Sequence, residues 1–257
     1  MLTALTAADV PDFTAACAYE PVFGSRILTA WRAYGLHDAD TQFYLCRAGR
    51  KATAALCLAG GVLSISADAD VDPTPIAALA RRAPVREIDC DRALCDALQT
   101  RLGGTMDSSY YMVYHGAPVE ETTADFGVGA LPVVFDILQR SHEYYRTHLD
   151  YPRWSADWQR RLSAGLSEVY LLVDAGEPVG TGAILSEDER CGVLGAVAVV
   201  PEHRHRGLGS RITRLLMQRI GQKGKIPRLI AGYDEVAELY RKLGFVPYGR
   251  WGELYLD

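Results

Sequence analysis

Several things are scarce or missing in this sequence, and each absence narrows the reading. No run of about 18 apolar residues occurs, the least a membrane-crossing helix needs, so no membrane partner is expected. The opening Met-Leu-Thr-Ala-Leu-Thr carries no basic stretch of the kind that starts a secretory leader, and the cytoplasm is the expected compartment. Basic residues do not predominate: 27 Lys and Arg against 32 Asp and Glu leave a net charge of −5. A nucleic-acid partner is therefore disfavoured. The six cysteines (17, 46, 57, 90, 95 and 191) show no C-x-x-C pairing and sit in apolar patterns, where a thiol acts as a small hydrophobe; neither a zinc site, nor any other metal site, nor a disulfide scaffold is expected. Neither G-x-G-x-x-G nor G-x-x-x-x-G-K-[ST] is found, which sets aside the dinucleotide fingerprint and the P-loop.

What is present is an ordinary globular composition over 257 residues, 49% apolar and 23% charged, long enough for two domains. One stretch organises the rest. Ala196 to Val200 is wholly apolar, as in a strand buried on both faces, and Pro201, lacking an N–H, ends it. Arg204-His205-Arg206-Gly207-Leu208-Gly209-Ser210 follows, then Ile212, Leu215, Leu216 and Ile220 at helical spacing. A strand, a glycine-bearing turn and a helix in direct succession make an anion site. The first N–H groups of a helix are unpaired and carry partial positive charge. Gly207 and Gly209 leave the backbone open to an oxyanion, and Arg204 and Arg206 add charge. A pyrophosphate is the natural ligand.

Arg204-x-x-Gly207-x-Gly209 after a Val-Val-Pro strand end resembles the [QR]-x-x-G-x-[GA] motif of the GNAT superfamily of acetyl-CoA-dependent N-acetyltransferases. Leu239-Tyr240-Arg241-Lys242-Leu243-Gly244-Phe245 is similar to that family's L-Y-x-x-x-G-F ending, on a predicted helix capped by Asp234 and stopped by Gly244. The resemblance implies acetyl-CoA as co-substrate. It implies cofactor contacts at Val197, Ala198 and Val199 on a splayed strand and at Arg204 to Ser210 (His205 and Leu208 included), and Tyr240 as donor of a proton to the leaving thiolate. Tyr233 stands where the family often has an asparagine before this helix, and is placed among the cofactor-binding residues. The reaction implied is acetyl transfer to a primary amine of a small molecule or peptide by direct attack. A non-catalytic acyl-CoA-binding or regulatory module is the alternative, because the carboxylate that some members carry on this strand is missing from Cys191 to Val200. Glu187, Asp188 and Glu189 are read as a solvated turn or as a base acting through water.

Along the chain, strand and helix patterns alternate as in a mixed α/β sheet. Helical pieces fill residues 1 to 36. Strands are predicted at 43–46, 52–58, 63–66, 85–88 and 110–114, with helices at 75–82 and 91–102. Gly116 to Gly129 lacks periodicity and reads as a linker. Helices over 131–147 and 155–164 follow, then strands at 169–173, 179–185, 192–200, 228–230 and 251–256. The two halves resemble each other weakly, for example Phe43-Tyr44-Leu45-Cys46 with Val169-Tyr170-Leu171-Leu172. The expectation is therefore two GNAT-like units in tandem: 1–117, a linker at 118–129, and a catalytic unit at 130–257. The first unit carries Asp68, Asp70 and Asp72 where the phosphate turn belongs and Gln99 in place of Tyr240, so it is expected to bind no cofactor and to serve as support or as a wall of the acceptor site. His142, Tyr144, Tyr145, His148, Tyr151, Trp154 and Trp158 supply an aromatic wall suited to an amine or peptide acceptor. Residue type does not name that acceptor, nor the oligomeric state.

Overall fold

The computed structural model of the chain describes residues 1–256, the side chain of His148 excepted. Its contacts group into two compact units: Met1–Met112 with Ile230–Glu238 and Val246–Asp257, and Val113–Leu229 with Leu239–Phe245. No helix among the described residues is long and apolar enough to cross a membrane.

The first unit begins β1 (Leu2–Ala4), α1 (Val10–Ala16), α2 (Pro21–Tyr34), β2 (Thr41–Ala48), β3 (Lys51–Ala59) and β4 (Val62–Ala67). It continues α3 (Thr74–Arg82), β5 (Glu87–Asp91), α4 (Arg92–Leu102) and β6 (Thr105–Val113). Strands β1 to β4 pair antiparallel in sequence order, and β5 then lies parallel to β4. Strict alternation along β2 and β3 feeds two cores. Leu45, Ala55 and Cys57 meet Phe13 and Ile27 of α1 and α2. Cys46, Ala54, Leu56 and Leu58 join Ile76 of α3 and Leu98 of α4. A period of two sends neighbours to opposite faces, so both faces need a helical cover.

The second unit repeats that path with β7 (Phe126–Val128), α5 (Leu131–Ser141), α6 (Glu143–His148), α7 (Tyr151–Ser163), β8 (Glu168–Asp174), β9 (Glu177–Glu187) and β10 (Cys191–Val199). Then come α8 (Leu208–Gln222), β11 (Ile226–Ile230) and α9 (Asp234–Lys242), the last shared in sequence between the two groupings. Again the first four strands pair antiparallel in order, and β11 lies parallel to β10. The tandem mixed α/β arrangement expected from the sequence is the one found.

Four differences from the sequence reading have physical causes. The segment expected as a linker contains β7, whose Phe126 pairs with Leu172, and Glu121 meets Arg211 at 3.4 Å and Arg214 at 3.1 Å on α8. The helix expected over 131–147 breaks at His142, which is extended and whose Nδ1 accepts the Tyr144 N–H, so it caps α6 instead of continuing α5. Asp234 is the first residue of α9 and the Tyr233 carbonyl accepts the Ala237 N–H, so Asp234 is not the cap. Finally, the C-terminal strand β12 (Val246–Tyr255) groups with the first unit, because it pairs antiparallel with β5 from Trp251↔Asp91 to Tyr255↔Glu87.

Candidate functional site: a strand end and a helix N-terminus

All of the phosphate-turn residues lie in the second unit, and α8 is set there by close packing. Three glycines lie beneath it: a Cβ on Gly180, Gly182 or Gly192 would come within 2.8, 2.3 and 2.8 Å of Ile212, Ile212 and Ile220 side-chain atoms. Small residues on β9 and β10 thus let the helix approach the sheet closely. The buried side chain of Leu208 fastens its first turn.

Strand β10 carries Val197, Ala198 and Val199. It pairs with β9 over most of its length but with β11 only at Cys191, Gly192 and Val193. Beyond Val193 the parallel ladder stops, which leaves the later part of that edge without a strand partner among the described residues. The register to β9 slips between Gly195 and Ala198, and Ala196 takes a positive φ of 50°. A bulge here re-aims the backbone just before the turn. The Val200 N–H bonds to the Val179 carbonyl on the β9 side. Alternation therefore turns Val199 toward the free edge, where its carbonyl accepts Arg204 Nε at 3.2 Å.

His205 and Gly207 both have left-handed backbone, φ 60° and 76°, and flank Arg206. Gly207 caps α8 without a side-chain partner, and the first helical bond runs from Arg211 N–H to the Gly207 carbonyl at 3.1 Å. The N–H groups of Leu208, Gly209 and Ser210 therefore form the open first turn. A Cβ on Gly209 would meet nothing within 4 Å, so the space above those donors is clear.

The two arginines serve differently from the simple addition of charge that the sequence suggests. The Arg204 guanidinium bonds two backbone carbonyls, those of Val199 and Ser141, and braces the turn against the ends of β10 and α5. Arg206 pairs with Asp174 at 2.7 Å and reaches His203 Nδ1 at 2.8 Å. The Arg206 hydrogen bond holds the Asp174 carboxyl below its ordinary range. Backbone N–H groups are thus the open donors of the turn. Asp174 escaped the sequence reading because it ends a strand far from the turn in the chain.

Tyr240 is 6% exposed and packs edge-on against Phe245 at 5.8 Å. Burial, with the nearby Tyr145 hydroxyl, raises its pKa well above the ordinary tyrosine value, so it keeps its proton. Tyr233 is half exposed and groups with the first unit. Two of the three acidic residues before β10, Glu187 and Asp188, are engaged. Glu187 bonds Lys223 at 2.6 Å, while Asp188 Oδ1 accepts the N–H groups of Arg190 and Cys191 and closes the turn. Of the aromatic residues, Phe135, Tyr151 and Trp154 pack on one another at 5.0 to 6.3 Å, and Trp154 continues to the buried Trp158 at 5.9 Å. His148, expected in the same wall, has its side chain outside the described residues.

The corresponding turn of the first unit is built otherwise. Asp72 Oδ1 accepts the Thr74 N–H at the start of α3, at 2.9 Å, and Asp68 pairs with Lys51 at 2.5 Å. Gln99, in the place of Tyr240, donates to the Gly104 carbonyl at 3.1 Å.

Residues 131–245 match the model of the acetyltransferase (GNAT) family. Among solved structures, the chain is similar to an acetyltransferase from the GNAT family of Colwellia psychrerythraea, at 13% identity over 100% of both chains and a TM-score of 0.62. It is also similar to a GCN5-related N-acetyltransferase from Sphaerobacter thermophilus, at 15% identity over 98% of this chain and 94% of that one, TM-score 0.62. A tandem GNAT protein from the clavulanic acid biosynthesis pathway matches at 13% identity over 98% of this chain and 97% of that one, TM-score 0.62. No curated protein is similar enough to count as a match. At these identities the structural likeness is one of fold, and the matched segment carries the family assignment: residues 131–245 form an acetyltransferase domain of the GNAT family.

Proposed function

We propose that the second unit transfers the acetyl group of acetyl-CoA to a primary amine of a small molecule or peptide. The observation that carries this reading is the first turn of α8, which no side chain caps, at the end of a strand whose edge has no strand partner among the described residues, inside the segment matched to an acetyltransferase family. The N–H groups of Leu208, Gly209 and Ser210 take the pyrophosphate, supported by the αL backbone at His205 and Gly207. The free edge of β10 receives the pantetheine arm, with Val197 as the pairing position left over once Arg204 has occupied the Val199 carbonyl. A backbone N–H beside the bulge polarises the thioester carbonyl. Tyr240, held protonated by its burial, gives its proton to the departing thiolate. Holding amine and thioester together is itself a large part of the rate.

The engagement of Glu187 by lysine and of Asp188 by backbone favours a second reading, a domain that binds acyl-CoA without turning it over. Incubating the chain with acetyl-CoA and a panel of amines, amino acids, polyamines and aminoglycosides separates the two. Catalysis predicts release of free CoA thiol with an acetylated product by mass spectrometry. Tyr240→Phe should then lower kcat by about 10²- to 10⁴-fold with KM for acetyl-CoA little changed. CoA binding with no turnover of any amine would leave the binding reading standing, and equal kcat in the variant would remove Tyr240 from the mechanism.

A further inference from the structure

A second feature lies in the first unit, on strands that bear none of the proposed acetyl-transfer residues. Asp89 on β5 stands directly opposite Glu253 on β12, and Glu87 lies two residues along the same face. Like charges facing each other across a ladder destabilise a sheet, so the pairing calls for a reason. The three carboxylates converge: one oxygen from each lies within 4.8 Å of the others. Asp89 is 4% exposed, its carboxylate points into this group, and its Oδ1 accepts no hydrogen bond among the described residues. The cation in reach is Arg26 of α2, 4.0 Å from Asp89 Oδ2. With all three carboxylates ionised, one guanidinium would leave two negative charges without a counter-charge among the described residues. Burial above all, with the crowding of charge, pushes the carboxyls of Asp89 and Glu87 above the ordinary carboxylate range.

A buried carboxylate oxygen with no donor costs several times what a satisfied one does. Protonation relieves part of that cost, and coordination of a dication offsets it by supplying the missing positive charge. The donors are all oxygen, with no imidazole or thiolate, which suits a hard ion and disfavours zinc. Calcium–oxygen distances of about 2.3–2.6 Å place opposite ligands up to about 5 Å apart, whereas magnesium at about 2.0–2.1 Å requires a tighter set. We propose that Glu87, Asp89 and Glu253 form a cation site in the first unit that takes a hard divalent ion, Ca²⁺ by its spacing. The ion would tie β5 to the C-terminal strand β12. This proposal is independent of acetyl transfer. It escapes the sequence because Glu253 lies far along the chain from Glu87 and Asp89, and only the β5–β12 pairing brings them together.

The test uses the full chain after chelation and dialysis, with CaCl₂, MgCl₂ and putrescine as separate probes. Saturating Ca²⁺, at about 100 times Kd, should raise Tm by about 5 °C, with one ion per chain by calorimetry. Asp89→Asn and Glu253→Gln should each abolish that rise. If Asp89→Asn does not fold, Glu87→Gln, nearer the surface, carries the same expectation. No heat or Tm response to Ca²⁺ or Mg²⁺ would overturn the site. So would an undiminished response in the variants, or a response to putrescine alone, which would make it an organic-cation site.

Discussion

Replacing Gly209 with aspartate separates binding at the helix N-terminus from folding. Gly209 is the second residue of α8, has no positive φ, and a Cβ there meets nothing within 4 Å. The side chain therefore enters free space without strain. A carboxylate in the first helical turn is favoured by the dipole, by about 0.3–1 kcal/mol, so Tm should hold or rise slightly. CoA binding should respond in the opposite direction. A carboxylate about 4 Å from a phosphate charge opposes it by about 1 kcal/mol in water and about 4 kcal/mol at an effective dielectric of 20. Displacing one charge-assisted N–H bond adds about 1.5–3 kcal/mol. The sum falls at about 2.5–7 kcal/mol, and 1.4 kcal/mol is tenfold, so affinity should drop by at least about 60-fold. Gly207→Asp would blur the result, because its φ of 76° adds strain of about 1–3 kcal/mol to the fold. Calorimetric titration of CoA into both proteins, with thermal melts alongside, reads the two effects. Affinity within about threefold of wild type, with an unchanged melt, would refute binding at this turn.

Three further outcomes follow from the same geometry. Titration of the intact chain with CoA should give one site, since Asp72 already occupies the start of α3 and Gln99 is committed to Gly104; two equivalent sites would refute this. Gly182→Ala should destabilise the fold by about 1–3 kcal/mol in urea unfolding, because its Cβ would sit 2.3 Å from Ile212 Cγ2; an unchanged midpoint would show that α8 can shift. The third concerns Glu168, whose burial alone would raise its pKa, but hydrogen bonds from Lys223 and Tyr170 outweigh that and lower it. A lowered folded pKa gives stability that is present above the unfolded value of about 4.3 and lost as pH falls below it. Lys223→Met should therefore melt earlier than wild type at pH 7, with the gap closing toward pH 3; a gap independent of pH would refute the linkage.

The local chemistry of the candidate site was legible because it is written in consecutive residues. An apolar run, a proline, two glycines and a helical stripe fix a strand, a stop, an open turn and a helix wherever the segment packs. The same holds for α9 and its Gly244 end. Helix starts were harder to read, because caps such as His142 compete with propensity through single hydrogen bonds. What the chain could not announce is which strand lies beside which. Alternation in β12 says that one face is buried, yet is silent about the partner, because period-two patterning fixes a face and not a neighbour. Only the folded arrangement sets β12 against β5, brings Glu253 opposite Asp89, and ends the β10–β11 ladder at Val193. It likewise turns Arg204 onto two backbone carbonyls and draws Asp174 to Arg206. Charge type is a property of the sequence. Where each charge is spent depends on distances that tertiary packing alone determines.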